Sequence, residues 1–488
     1  MDNISSQLAI SIEAQRLVHT HNVSDVHKSN LGQYLTPYSI ANFMASMLPI
    51  HEGAISLLDP GSGVGTLASA FLERCYSLNP RQQVNCDCYE IDEGCIPTLQ
   101  HNMEFFKKHY SLNYNIIPED YLGSASDSYF NFDGTKYTHV IMNPPYKKIS
   151  NSSLPRKLLE SIGVKAVNLY AAFVSMAIEQ LNDDGYLVAI LPRSFCNGVY
   201  YESFRKHMLK NTVIRRIHLF ESRKSVFKED SVLQENIIIM LQKNREPTTV
   251  TVSYSKDKTI DSIVTESFFY RNIVDTESRS LIINIPTSNN SKPTSKYIRT
   301  LDEIQLKVST GPIVDFRHKD NICSQSDKGI PLVYPFHIDN FTVSWPKVNP
   351  KKPDYFLADS SVAKYLYPKG FYIVVKRFSS KEENRRIVAA ILNPNDYIHN
   401  QYAFENHLNV YHSGGHGLDE DIAWGLLCYL NIQAVDIDFR LFSGHTQVNA
   451  FDLRQLRYPD QKTLIRLGQA IRDNALSYSN FESTLQEF

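Results

Sequence analysis

Short apolar runs alternate with stretches of helical periodicity through the first half of the chain. Ile55–Leu58, Val84–Tyr89, Asn115–Asp120, Thr138–Met142, Tyr186–Pro192, Ile214–Phe220 and Asn236–Leu241 read as strands. Between them, Asn168–Leu181 repeats Leu169, Phe173, Met176, Ala177 and Leu181 at helical spacing, and Asp183-Asp184-Gly185 closes it. Tyr201–Leu209 reads as a basic helix, and the residues up to Ser29 as a helix followed by a polar loop. Strands alternating with helices predict an α/β fold with a parallel, doubly wound, Rossmann-like sheet. The alternation stops around Asn244–Val250, which puts a boundary there: a first domain over 1–245 and a second over 246–488. The second half has short strands (Thr249–Tyr254, Leu281–Ile285), a turn-rich stretch Pro286–Lys296, many aromatic residues and an amphipathic helix over Leu418–Leu430. It reads as a mixed α+β domain without internal repeats.

Composition changes this picture little. The 488 residues are 42% hydrophobic and 21% charged, with a net charge of -2, so a nucleic-acid surface must be a local patch. No apolar run is long enough to span a bilayer, and Met1–Gln15 has no signal-peptide pattern. The 7 cysteines are irregularly spaced with no Cys-x-x-Cys pair, so a reduced cytoplasm is expected and structural zinc is not.

The candidate chemistry lies at strand ends. After Thr138–Met142 come Asn143-Pro144-Pro145-Tyr146. The prolines stop ladder and helix, so Asn143 and Tyr146 stand at the strand's C-terminal edge, where open α/β sheets bind ligands. An amide oxygen, the Pro144 carbonyl and the Tyr146 ring suit a planar amine. Asp59-Pro60-Gly61-Ser62-Gly63-Val64-Gly65 is a strand-to-helix turn that suits a nucleoside cofactor, or a simple tight turn; Thr66 takes the place of the third glycine in the dinucleotide fingerprint. Glu90 and Asp120 end the next two strands, placed to accept from ribose hydroxyls and from an adenine amine. Thr36-Pro37 reads as a helix N-terminus with a hydroxyl cap, able to attract a carboxylate. In the second half, five of the eleven residues Lys376–Arg386 are basic, including Lys376, Arg377, Arg385 and Arg386. They suit phosphates, or a solvated charged loop. His445, Gln447 and Asn449 crowd one loop that suits adenine edges, or a buried polar turn. Arg317 joins these as a candidate DNA contact.

Gly32-Gln33-Tyr34-Leu35-Thr36-Pro37, the glycine turn and Asn143-Pro144-Pro145-Tyr146, in this order, resemble the gamma class of amino-methyltransferases, the TaqI-type adenine-specific DNA methyltransferases. Val308–Pro312 and Gly444–Asn449 are similar to the BsuBI and PstI modification enzymes of that class. The resemblance implies S-adenosylmethionine as cofactor and double-stranded DNA as substrate, with a cognate restriction endonuclease acting separately. It implies a target-recognition role for the second domain. It assigns the methionyl carboxylate to Thr36, the methionine end to Asp59, Gly61 and Gly63, the ribose to Glu90 and the adenine amine to Asp120. Asn143, Pro144 and Tyr146 would grip an everted adenine, with Phe227 as a second aromatic. No metal is implied. RNA or protein-glutamine methylation by the same motif, and a non-catalytic DNA specificity module, are the competing readings. A dehydrogenase is disfavoured by Thr66 and by the lack of a hydride-transfer acid or base.

Overall fold

The computed structural model describes all residues except 1, 25–31, 33, 131–133, 135, 151–152, 166–167, 221–234, 256–259, 261, 277–279, 287–296, 325–327, 348–351, 380–382, 444–446, 473–476 and 487–488. The chain divides into two compact units, Met1–Ser288 and Asn289–Phe488.

The first unit is built on one nine-stranded sheet in the order β3-β2-β1-β4-β5-β7-β6-β8-β9. These strands are β1 (Ile55–Pro60), β2 (Val84–Tyr89), β3 (Leu112–Ile117), β4 (Tyr137–Met142), β5 (Leu181–Pro192), β6 (Thr212–Phe220), β7 (Asn236–Lys243), β8 (Thr249–Ser255) and β9 (Val264–Phe269). The helices are α1 (Asp2–Asn22), α2 (Tyr38–Met47), α3 (Thr66–Leu78), α4 (Ile96–His109), α5 (Tyr121–Phe130), α6 (Leu154–Ser161), α7 (Leu169–Gln180) and α8 (Glu202–Asn211).

β3, β2, β1, β4 and β5 are parallel neighbours, as the strand–helix alternation predicts. Such strands are apolar on both faces because helices cover both. Val140 and Met142 of β4 face the core shared with α5 and α7, whereas Ile141 faces the core shared with α2, α3 and α4. α4 touches that core through Leu99, Met103 and Phe106, a stripe at helical spacing.

The sheet is not wholly parallel. β7 runs antiparallel to both β5 and β6. Periodicity reports which residues are buried, not which way a strand runs, so the reversal left no mark in the pattern. β8 pairs with β6 and β9 with β8, so the sheet continues past the boundary drawn at 245/246. The expected strand Leu281–Ile285 is only an isolated bridge, Ile283 to Val274. Asp183, Asp184 and Gly185 lie within β5 rather than closing the helix before it.

The second unit holds a six-stranded and a five-stranded sheet with helices. In it, the helices Glu420–Leu430 and Gln461–Ile471 pack backbone to backbone through Gly425 and Gly468. A methyl group on Gly425 would overlap the Leu464 carbonyl, and one on Gly468 the Asp421 carbonyl. No described helix is long and apolar enough to cross a membrane.

Alanine at a mid-helix glycine ordinarily gains about 1 kcal/mol of helix propensity. Here the added carbon meets backbone that cannot swing aside, so Gly425→Ala should give a net loss of about 1–3 kcal/mol. An unchanged or raised urea midpoint would refute the close-packing account.

Candidate active site

The glycine turn after β1 is a left-handed passage: Gly61, Gly63 and Gly65 have φ of 78°, 56° and 82°. Space demands glycine as well. A Cβ on Gly63 would lie 2.5 Å from Leu35 Cδ2, and one on Gly65 2.6 Å from Leu99 Cδ1. The Gly61 and Ser62 N–H groups donate to the Tyr89 carbonyl at 2.9 and 2.8 Å, locking the turn onto the end of β2.

Glu90 follows β2 directly. One carboxylate oxygen accepts from the Gly63 N–H at 2.6 Å, the other from the Asp92 N–H at 2.7 Å. Burial pushes this carboxyl up, and those two N–H groups oppose the shift. Asp120 stands farther out than expected. β3 ends at Ile117, so Asp120 lies beyond Pro118, just ahead of α5, and is exposed.

Gly61, Glu90, Asp120, Thr36 and Asn143 line one cleft. Tyr89, Tyr121 and Phe173 form apolar wall. Sequence reasoning read Phe173 as core on α7; it is core, 6% exposed, and that spacing carries no signal that a ligand touches one edge of the ring. Asp59 and Gly63 lie behind the lining. Asp59 is 0% exposed; its Oδ2 accepts from the Ala68 N–H at 3.1 Å, while Oδ1 has no hydrogen-bond partner among the described residues. Burial, reinforced by the Glu90 charge, pushes the Asp59 carboxyl up to about 8.

The decisive contact joins motifs 107 residues apart: Asn143 Nδ2 donates to Thr36 Oγ1 at 3.0 Å. It also donates to the Tyr34 carbonyl at 2.7 Å. With both amide hydrogens committed, the Asn143 oxygen is left as the acceptor. Among the described residues, the Pro144 carbonyl accepts no hydrogen bond. Tyr146 is pinned by its hydroxyl, which donates to the Ile190 carbonyl at 3.1 Å, and by the edge-on Tyr170 ring at 6.1 Å.

Thr36 does not cap α2 with its hydroxyl. Pro37 is the N-cap, and the first N–H, that of Tyr38, is taken by the Glu13 carboxylate at 2.9 Å. Phe227 lies outside the described residues. Its flanks, Phe220 ending β6 and Glu235 before β7, sit at the same sheet edge as Asn143, because β7 is reversed.

Among the second-unit candidates, Arg317 is exposed, its guanidinium 5.5 Å from the Phe316 ring centroid. Lys376 is half-buried and Gln447 bridges to Phe378. The others turn inward. Arg386 is 0% exposed and reaches Ser379 Oγ at 3.1 Å. Arg385 stacks 4.3 Å over Tyr478 and donates to the Asn431 carbonyl. Arg377 donates to the Asn406 carbonyl at 3.1 Å. Asn449 is the N-cap of the helix Ala450–Gln455, tied to Asp452. His445 lies outside the described residues. A basic run thus signalled structural struts here, because a half-buried arginine can satisfy its donors on carbonyls.

Parallel strands, a reversed β7 beside them and a cleft at the strand ends define the Rossmann-like methyltransferase fold. The model of the Eco57I restriction-modification methylase family matches residues 82–227. The Type II methyltransferase M.BsuBI of Bacillus subtilis is 41% identical over 495 residues, covering 99% of this chain and 98% of the relative. M.PstI of Providencia stuartii, also a Type II methyltransferase, is 35% identical over 503 residues, with 99% and 97% covered. The solved structure of the Type IIL restriction-modification enzyme MmeI in complex with DNA superposes with a TM-score of 0.50 at 13% identity, covering 100% of this chain and 74% of that one. The chain belongs to the type II methyltransferase family that includes M.BsuBI and M.PstI.

The buried Asp59 generates a pH test. Its folded pKa of about 8 lies above the unfolded value of 3.8. Between the two, the native chain holds a proton that the unfolded chain has released, so this group's stabilisation falls as pH rises, by up to about 1.4 kcal/mol per pH unit. Asp59→Asn cannot titrate. Urea midpoints measured from about pH 5 to about pH 8 should fall more steeply in the native chain than in the variant; parallel curves would refute the assignment.

Proposed function

We propose that this chain is a site-specific DNA adenine-N6 methyltransferase of a restriction-modification system, using S-adenosylmethionine on an everted adenine. The carrying observation is the Asn143 amide, whose hydrogens are bonded to Tyr34 and Thr36, leaving the oxygen as acceptor.

The cleft fits the cofactor. Thr66 Oγ1, in the lining, is buried without a hydrogen-bond partner among the described residues, a polar atom left for a ligand. Glu90 would hold the ribose hydroxyls, Asp120 the adenine amine, and the Thr36 hydroxyl proton and glycine turn the methionyl end. When bound, S-adenosylmethionine supplies an electrophilic methyl on a sulfonium.

Adenine N6 is a poor nucleophile because its lone pair is delocalised into the ring. The Asn143 oxygen and the Pro144 carbonyl would each accept one N6 hydrogen, favouring a pyramidal nitrogen with the lone pair turned to the methyl group. Tyr146 would lie against the purine. Everting a base costs a few kcal/mol, and stacking returns about 1–3 kcal/mol. In-line transfer then depends on orientation and fixed dipoles. The names of the family relatives support methyl transfer, and the size of the second unit favours DNA over RNA or a protein glutamine. A cognate endonuclease would be a separate chain.

Incubation with methyl-labelled S-adenosylmethionine and mixed DNA should yield N6-methyladenine in one sequence context. Asn143→Ala should reduce transfer at least ~10³-fold, an oxyanion-hole-scale loss, while calorimetry still detects cofactor binding. Label in cytosine, RNA or protein would overturn the reading, as would substantial turnover by the variant.

Arg317→Ala should weaken DNA binding and reduce the slope of log affinity against log salt by about 1. Arg386→Ala should instead lower the unfolding midpoint. The opposite pattern would place Arg386, not Arg317, on the phosphates.

A further inference from the structure

Away from the Asn143 amide, three side chains converge that no part of the proposed reaction uses. His19 lies in the last turn of α1, Asp92 just beyond β2, and Cys95 at the N-cap of α4. Cys95 is fully buried, Asp92 is 8% exposed and His19 14%. Their ligand atoms all lie within 4.8 Å of one another. The edges of the triangle are 3.2 Å from Cys95 Sγ to His19 Nε2, 3.8 Å from His19 Nε2 to Asp92 Oδ2, and 3.9 Å from Cys95 Sγ to Asp92 Oδ2.

We propose that His19, Asp92 and Cys95 form a zinc site. Zinc binds thiolate at about 2.3 Å and imidazole or carboxylate at about 2.0–2.2 Å in tetrahedral geometry, which sets ligand-to-ligand edges of about 3.4–3.6 Å. Each observed edge lies within about 0.4 Å of that range. The two Cys95 edges are also within hydrogen-bonding reach of the thiol, but the 3.8 Å edge is too long for an N–H···O bond, so hydrogen bonding does not close the triangle. One sulfur, one nitrogen and one oxygen donor suit zinc, whereas calcium and magnesium take oxygen. Three protein ligands leave the fourth position to water. The second Asp92 oxygen accepts from the Gly94 N–H at 3.0 Å, so the carboxylate is oriented from behind.

The site has a mechanical consequence. His19 and Cys95 are 76 residues apart, and a metal between them would fasten α1 to the tip of β2. The Asp92 N–H donates to Glu90 at 2.7 Å, so the fastening reaches a residue that lines the cleft. The inference is independent of the substrate proposed above, because it concerns only these side chains.

The test uses the full untagged chain, purified under reducing conditions without chelator. Elemental analysis should find about one zinc per chain, in keeping with one such ligand set. The stripped chain should bind cobalt(II) with a thiolate-to-cobalt charge-transfer band. His19→Gln and Cys95→Ser should each weaken zinc binding at least tenfold and abolish the band. Zinc should also raise the melting temperature of the stripped native chain but not of His19→Gln. Absence of both zinc and a cobalt band in the native chain would overturn the proposal, as would equal zinc content in the native chain and both variants. If the variants do not fold, cobalt and zinc titrations of the stripped native chain decide alone.

Discussion

An amide has two chemically opposite ends, and everything proposed for this site depends on which end faces the cleft. Asn143 is settled from behind. The Tyr34 carbonyl and the Thr36 hydroxyl take its two hydrogens, so the oxygen is left as the acceptor. That requires Tyr34–Thr36 to cross the end of β4 at close range. Gly32, with φ of 66°, sits where a Cβ would approach Lys147 at 3.3 Å. Leu35 in turn fills the space that a side chain on Gly63 would need. The crossing segment and the glycine turn therefore hold each other in place, and a change in either is felt at the amide.

The sheet beneath supplies the rigidity. β4 is buried on both faces, and its last three residues divide between two cores, so the peptide that follows cannot tilt without disturbing both. The reversed β7 adds a second effect. β6 therefore ends, and β7 begins, at the end of the sheet where β4 and β5 end, the side that carries Asn143. Buried polar groups are concentrated here: Asp59, Glu90 and Thr36 are all under one-tenth exposed. For Glu90 and Thr36 the cost is offset by backbone N–H groups and side-chain partners, whereas Asp59 keeps one oxygen without a partner among the described residues.

In the second unit, charge does the opposite of what its density along the chain suggests. Arg377, Arg385 and Arg386 reach carbonyls, hydroxyls and ring faces inside the unit, while Arg317 is exposed in a short turn beside an exposed phenylalanine. Guanidinium groups have five donors and a flat face, so they serve as internal braces as readily as phosphate contacts.

The sequence by itself determined the strands from β1 to β7 and their parallel core, because burial on both faces leaves continuous apolar runs. It also determined the glycine turn, the acid after β2 and the proline-locked amide, because each needs particular residue types close together along the chain. It did not determine the direction of β7, the extension of the sheet through β8 and β9, or the inward turn of the arginines. Nor did it reveal that Thr36 serves Asn143 instead of a helix end, or that His19 meets Asp92 and Cys95. Those outcomes rest on contacts between residues far apart in the chain, whose geometry depends on how whole elements pack. Local spacing carries no record of such distances; only the folded chain does.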